Sequence, residues 1–292
     1  MATRESILNK LDIKDGDWVL EIGSGPMPFV RSDILADKFL IDNLHRIGKL
    51  IIDRPTVVCD AHYLPFVDNG FDYTFCSQTL EHLDNPDLFF KEIVRVSKKG
   101  YIETPNEIRE RLFGWPFHKW VVSKDEKGLI LKENNVESPF GLFFHKLQLE
   151  NYEFVEFSIY WHDLLNICYE WHNKPEYRFE TIRGKGVVSE KLYIDENIAS
   201  TFKLSKPIKK GIYVPRWLKK KIPVGIKQII KQNLMPPKFG CRHSENESKL
   251  KLKNILACPK CKEKITYVEI NKLNCRKCKR NYEINNSIPI ML

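Results

Sequence analysis

Two groups of residues in this 292-residue chain have the types and spacing to do chemistry. Cys258-Pro259-Lys260-Cys261 and Cys275-Arg276-Lys277-Cys278 are two Cys-x-x-Cys turns thirteen residues apart, with a strand-like stretch from Ile265 to Ile270 between them. Four thiolates on two tight turns make a closed tetrahedral zinc site and fold a segment too small to have its own core. No coordination position stays open, so the metal expected on Cys258, Cys261, Cys275 and Cys278 is structural. The second group is Val19-Leu20-Glu21-Ile22-Gly23-Ser24-Gly25-Pro26, an apolar run that ends in an acid and two spaced glycines. It reads as the first strand of a parallel sheet breaking into a tight turn, where glycines let a cofactor approach the backbone closely. A second apolar segment, Phe39-Leu40-Ile41, ends in Asp42, near the ~20-residue offset at which a ribose-binding acid stands in nucleotide folds.

The ordered set resembles the class I S-adenosylmethionine-dependent methyltransferases of the type 11-like group over roughly residues 15 to 110, each station following in sequence. The resemblance implies that Glu21, Gly23 and Gly25 form the cofactor loop and that Asp42 holds the ribose. Val57-Val58-Cys59-Asp60-Ala61 is similar to the third-strand motif, which implies adenine contacts from Asp60 and Ala61. Tyr73-Thr74-Phe75-Cys76-Ser77 is similar to the fourth-strand region that contributes Ser77, and Leu80-Glu81-His82-Leu83 follows it. Met27 stands where the family has a third glycine, flanked by Pro26 and Pro28, so a stiffer loop is expected.

Methyl transfer from a sulfonium is an in-line displacement of an already activated group. Proximity and alignment supply most of the rate, with a base needed only where the acceptor must lose a proton. Candidates for the acceptor side are Glu81, His82, Glu103 and Asn106, and His82 suits a general base near neutral pH. Phe113-Gly114-Trp115-Pro116-Phe117-His118-Lys119-Trp120 is aromatic and cationic, suited either to burial or to stacking on a sugar or base while His118 reaches a hydroxyl. The Asn-Pro-Pro-Tyr and Asp-Pro-Pro-Tyr signatures of amide and adenine-amine methylation are replaced by Ser77-Gln78-Thr79-Leu80, which weighs against those acceptors.

The elements that must position these residues alternate. Strands ending near Ile22, Ile41, Cys59, Ser77 and Thr104 are expected. A helix after Asp84-Asn85-Pro86-Asp87, with Leu88, Phe89, Ile93 and Val96 inward, runs toward Gly100. The fold class that follows is α/β, a doubly wound, mostly parallel sheet with a small C-terminal zinc ribbon. Ile7, Leu8 and Leu11 suggest a short N-terminal helix. Tyr160-Trp161-His162 and Tyr169-Glu170-Trp171-His172 suggest closing antiparallel strands.

Charge divides the chain. Residues 203–238 hold eleven Lys and Arg and no acid, residues 239–292 carry +7, and of the total of +9 this leaves −9 for residues 1–202. Three parts are therefore expected: a methyltransferase domain over 1–202, a basic, Pro-interrupted linker over 203–250, and a zinc ribbon over 251–292. Loss of one ribbon cysteine is expected to melt the ribbon and leave cofactor binding intact. Trp217, Leu218 and Ile222 among lysines give residues 203–238 the character of an amphipathic segment for an anionic membrane surface or RNA, or of a linker packed on the protein's own body. Residues 255–292 resemble the small zinc-ribbon proteins that are obligate partners of RNA- and protein-modifying methyltransferases, which implies a partner supplied in cis.

The leading expectation is an enzyme that uses S-adenosylmethionine to methylate a hydroxyl or carboxyl of a small glycosyl or lipid-linked acceptor. RNA or protein methylation and a non-catalytic cofactor-binding scaffold are the alternatives. The absence of a long apolar run or an N-terminal signal core points to a cytoplasmic protein, peripheral to the membrane if the linker binds there.

Overall fold

The run Val19–Ile22 is buried at every position, as a strand covered on both faces requires, and it forms β1 at the centre of the sheet. β2 (Ile34–Asp37), β3 (Thr56–Cys59) and β4 (Tyr73–Ser77) are equally buried, and β5 (Lys99–Pro105) is buried beyond its first residue. β6 (Trp120–Asp125) and β7 (Gly128–Glu133) form a hairpin outside this sheet. β8 (Asn166–His172) returns antiparallel along β5, and β9 (Tyr177–Phe179) joins β7. The computed structural model describes residues 10–41, 48–135, 138–181, 243–269 and 271–292. Ile7, Leu8, Asp42 and the basic segment 203–238 lie outside them.

The second strand corrects one expectation. It occupies Ile34–Asp37, ahead of the expected strand ending near Ile41, and Phe39-Leu40-Ile41 is not a strand. Ile34, Leu35 and Ala36 are fully buried whereas Ile41 is 85% exposed, so burial selects the earlier apolar run. Tyr160 and His162 likewise lie in helices rather than strands. α3 (Gly141–Glu150), α4 (Tyr152–Tyr160) and the single turn α5 (His162–Leu165) follow α2 (Glu107–Phe113), and only the Asn166–His172 half of the aromatic pair is a strand.

The strand order is β10-β11-β12-β13-β3-β2-β1-β4-β5-β8. Pairing is parallel from β13 through β5, and the chain reverses direction of growth between β1 and β4. That reversal is the topological switch point of a doubly wound sheet, outside which ligands bind at the carboxyl ends of the strands. α1 (Pro86–Val96) covers one face with Phe89, Phe90, Ile93 and Val96, while Leu88 is only half-buried. Its start is fixed by Asn85, whose side chain accepts from Leu88 N at 3.2 Å, with Pro86 in the first turn. On the other face Val19, Tyr73, Phe75 and Tyr101 pack with Phe29.

The C-terminal segment completes this sheet. α6 (Glu245–Ile255) begins with a reciprocal cap between Ser244 and Glu247 and spans the boundary expected at residue 250. β10 (Thr266–Glu269), β11 (Lys272–Asn274), β12 (Asn281–Asn285) and β13 (Ile288–Met291) are antiparallel neighbours. β13 then lies parallel to β3, Ile290 opposite Val58 and Met291 opposite Cys59. Leu252, Leu256, Ile265, Leu273 and Met291 belong to one apolar cluster with Val57, Phe66 and Phe71. At ~1.5–3 kcal/mol for each large apolar side chain buried, these contacts outweigh the polar ones that register them.

The polar contacts are nonetheless specific. Ala257 N donates to Pro65 O and Val67 N to Ile255 O, each at 2.9 Å, and Lys262 Nζ meets Glu92 Oε2 at 2.7 Å. His243 stacks on Trp18 at 3.5 Å between ring centroids and donates its backbone N–H to buried Asp33 at 2.9 Å. The described residues within 10–181 and 243–292 belong to one compact unit.

Candidate cofactor site and zinc centre

A cavity opens at the carboxyl ends of β1 to β4, lined by Gly23, Gly25, Asp37, Asp60, Ala61, Gln78, Thr79 and His82, with Phe39, Leu83 and Phe117 as apolar walls. The loop after β1 depends on its glycines. Gly23 has φ +73°, and a Cβ there would stand 2.0 Å from Thr79 Oγ1. Gly25 has φ +53°, and a Cβ would meet nothing within 4 Å, so this backbone faces open space.

Asp37 secures the loop by accepting from Gly25 N at 3.1 Å and Phe39 N at 3.0 Å while its carboxylate lines the cavity. It is the residue sequence reasoning missed; the signal was Ile34-Leu35-Ala36 leading into an acid. Glu21 and Ser77, expected as cofactor contacts, do not line the cavity. Glu21 is buried and accepts from Phe29 N at 2.8 Å, bracing the loop's far end, and Ser77 donates to Glu103 at 3.1 Å.

Asp60 follows β3 and meets Lys38 Nζ at 2.6 Å and His62 Nδ1 at 2.5 Å. Burial opposes its charge, but the His62 and Lys38 hydrogen bonds overcome that and hold the carboxyl well below the usual range. The cavity thus presents two acids, Asp37 and Asp60, on neighbouring strands about an open glycine backbone. This donor set fits an adenosine: carboxylates for ribose hydroxyls and for the exocyclic amine, and Phe39 and Leu83 for the base.

The acceptor-side candidates separate. His82 lines the cavity, its ring stacked at 5.6 Å on Phe117. His118 does not line it; 7% exposed, it lies behind with its ring edge-on to His82 at 4.6 Å and Nδ1 2.6 Å from Glu110 Oε1. Trp115 packs on Phe113 and His118, so the aromatic stretch is shared between core and cavity mouth. Asn106 is the N-cap of α2 and accepts from Arg109 N.

Glu103 is bound by Ser77, Tyr101 and Gln78 and stands 3.3 Å from His162 Nε2. Burial works against the His162 imidazolium, but Cys168 and Glu103 outweigh it and push the imidazole up to about 10. A folded-state value above the unfolded one gives stability that is complete below about 6.5 and lost as pH rises through about 10. The melting temperature is therefore expected to fall from pH 6.5 to 10, and His162→Gln to fall less steeply over that window. Parallel curves in a thermal scan would show that the imidazole carries no such charge.

The four ribbon cysteines converge. All four Sγ atoms lie within 4.8 Å of one another, with Cys258 to Cys278 at 3.5 Å and Cys261 to Cys275 at 3.4 Å. Sulfurs ~2.3 Å from a tetrahedral zinc stand about 3.8 Å apart, so the set fits the ion. Each knuckle closes in the same way: Lys262 N reaches Cys258 O and Lys279 N reaches Cys275 O, both at 2.8 Å, with Lys262 and Lys279 left-handed. Tyr282 Oη, 3.0 Å from Cys258 Sγ, supplies an outer contact.

A doubly wound sheet with a cavity of two acids and an open glycine backbone at its switch point, and a four-cysteine ribbon on its edge, defines a nucleotide-cofactor fold carrying a structural metal domain. Comparison with known proteins names both parts. Residues 41–102 match the methyltransferase domain family and residues 249–287 match the Trm112p-like proteins, so the chain joins a methyltransferase domain to a Trm112p-like zinc ribbon.

Among curated proteins, a demethylmenaquinone methyltransferase of Paenarthrobacter aurescens (strain TC1) is 31% identical over 106 residues, 33% of this chain and 41% of that one. The chain spans about two-fifths of that relative's length. Similar solved structures include a complex between the Haloferax volcanii Trm112 methyltransferase activator and a methyltransferase, at 14% identity over 61% of this chain and 90% of that chain, with a TM-score of 0.37. A methyltransferase of Bacillus halodurans C-125 is 18% identical over 36% of this chain and 52% of that chain, with a TM-score of 0.29. Among the described residues no helix is long and apolar enough to cross a membrane.

Proposed function

We propose that the protein is an S-adenosylmethionine-dependent methyltransferase whose activating zinc ribbon is built into its own sheet. One observation carries this reading: the cavity at the switch point sets an open glycine loop between the carboxylates of Asp37 and Asp60, with His82 and Phe117 on its acceptor side. When bound, S-adenosylmethionine supplies an activated methyl group. Gly23 and Gly25 admit the methionine portion, Asp37 holds the ribose, and Asp60 and Ala61 meet the adenine, while Phe117 and His82 shape the space for the acceptor.

The acceptor we favour is a hydroxyl or carboxyl of a small glycosyl or lipid-linked molecule. Support comes from the ring faces of Phe117 and His82 at the mouth, which suit a sugar, and from the basic segment 203–238, which suits an anionic membrane surface. RNA or protein methylation is the second reading, favoured by the ribbon strand paired in parallel with β3, an activator held in cis. Incubation with methyl-labelled S-adenosylmethionine and separate RNA, protein and lipid-glycan extracts tests both. Label in the lipid-glycan fraction is expected, and label in RNA or protein would replace the first reading with the second. Cofactor binding without label in any fraction would count against both.

A further inference from the structure

Behind the cavity wall lies a cluster that cofactor binding does not use. Glu81 and His82 sit on the one-turn 310 element Leu80–His82, and His118 comes from the segment between α2 and β6. One carboxylate oxygen and one ring nitrogen from each histidine lie within 4.8 Å of one another. Glu81 is fully buried. Its Oε2 accepts from Thr104 Oγ1 at 2.9 Å, but Oε1 has no hydrogen-bond partner among the described residues, and it stands 4.0 Å from His82 Nε2. That gap is too long for a hydrogen bond and within the span of two donors each ~2.0–2.1 Å from one metal ion.

The surroundings repeat the outer shell of metal sites. His118 is bound through Nδ1 by Glu110 Oε1 at 2.6 Å, the carboxylate-histidine pairing that orients a ligating ring. Glu110 is also fully buried, and its Oε2 has no hydrogen-bond partner among the described residues. Two buried carboxyl groups thus share one nearby guanidinium, that of Arg109, which interacts with both. One guanidinium beside two buried carboxyl groups leaves the cluster short of positive charge. A divalent ion would supply that charge.

We propose that Glu81, His82 and His118 form a second metal site, a two-histidine, one-carboxylate set for a divalent first-row transition ion, distinct from the four-cysteine ribbon centre. Nitrogen and oxygen donors without thiolate select that class, and three protein ligands leave positions open. His82 is the ligand that also lines the cavity, so on the functional reading above an open position would hold an acceptor oxygen. Glu110 and Thr104 act as positioning residues.

The test is metal content and calorimetry on the full, zinc-loaded chain titrated with cobalt(II) alone. One further equivalent is expected beyond the ribbon zinc, without displacement of that zinc. His82→Ala and His118→Ala should each weaken it at least tenfold, and Glu110→Gln should weaken it less. His82 is partly exposed, so its variant is the one least at risk of misfolding, and retained ribbon zinc reports its fold. A single metal per chain, or a second equivalent of unchanged affinity in both histidine variants, would overturn the site. Metal is counted without turnover, so that result leaves the methyltransferase reading standing.

Discussion

Cys275→Ser is expected to cost the protein its zinc, ~10 °C or more of melting temperature, and much of its cofactor affinity together. The coupling follows from the sheet. β13 is the ribbon's last strand and pairs with β3 through Met291 and Cys59, and Asp60, which lines the cavity, is the next residue. Leu256, Ile265, Leu273 and Met291 share one apolar cluster with Val57 and Phe66, so an unfolded ribbon uncovers the core face of the strand that carries the site. Losing ~4 kcal/mol is worth about 8–16 °C in a unit of this size, and structural zinc supplies more than that to the fold it closes. Differential scanning calorimetry with parallel titration of S-adenosylhomocysteine measures both quantities. Two separate transitions with cofactor affinity intact would show that ribbon and catalytic body are independent, as composition alone suggested.

That independence was the natural reading of the sequence because charge and cysteine spacing mark the ribbon as a different kind of segment. Neither reports which strand it will pair with. The pairing rests on Ile288, Pro289, Ile290 and Met291, a short apolar run whose partner lies more than two hundred residues away. The zinc ligands and the glycine loop were legible because each is a local constraint: a tight turn brings two thiols together, and a positive φ demands glycine.

His82 and His118 were legible as chemistry but not as neighbours. Their ring contact depends on how the segment after α2 folds back across the 310 turn, which no spacing encodes. The roles of Glu21 and Ser77 were legible only as motif positions. Their actual partners, Phe29 N and Glu103, turn them into braces for the site rather than its walls.

Asp37→Ala is expected to weaken cofactor binding by ten- to a hundredfold, the larger of the effects available from any single cavity side chain. Its carboxylate does two jobs at once. It accepts from Gly25 N and Phe39 N, fixing the loop on either side of the cavity, and it lines the cavity, where on the proposed function it holds the ribose. A hydrogen bond to a charged group contributes ~1.5–3 kcal/mol, and each 1.4 kcal/mol is tenfold in affinity. Asp37→Asn separates the two jobs, because the amide oxygen can still accept from one backbone N–H while the charge is gone. It should fall between the parent and the alanine variant.

The sequence alone pointed to Asp42, five residues later and outside the described residues, and the burial of the run before Asp37 is what favours Asp37. Ile34, Leu35 and Ala36 enter the core and carry Asp37 to the sheet's carboxyl edge, whereas Ile41 stays in solvent. Calorimetric titration of S-adenosylhomocysteine into Asp37→Ala and Asp42→Ala side by side is the direct comparison. Loss confined to the first variant would establish β2's last residue as the ribose acid. Loss confined to the second would return that role to Asp42 and leave Asp37 as a loop brace.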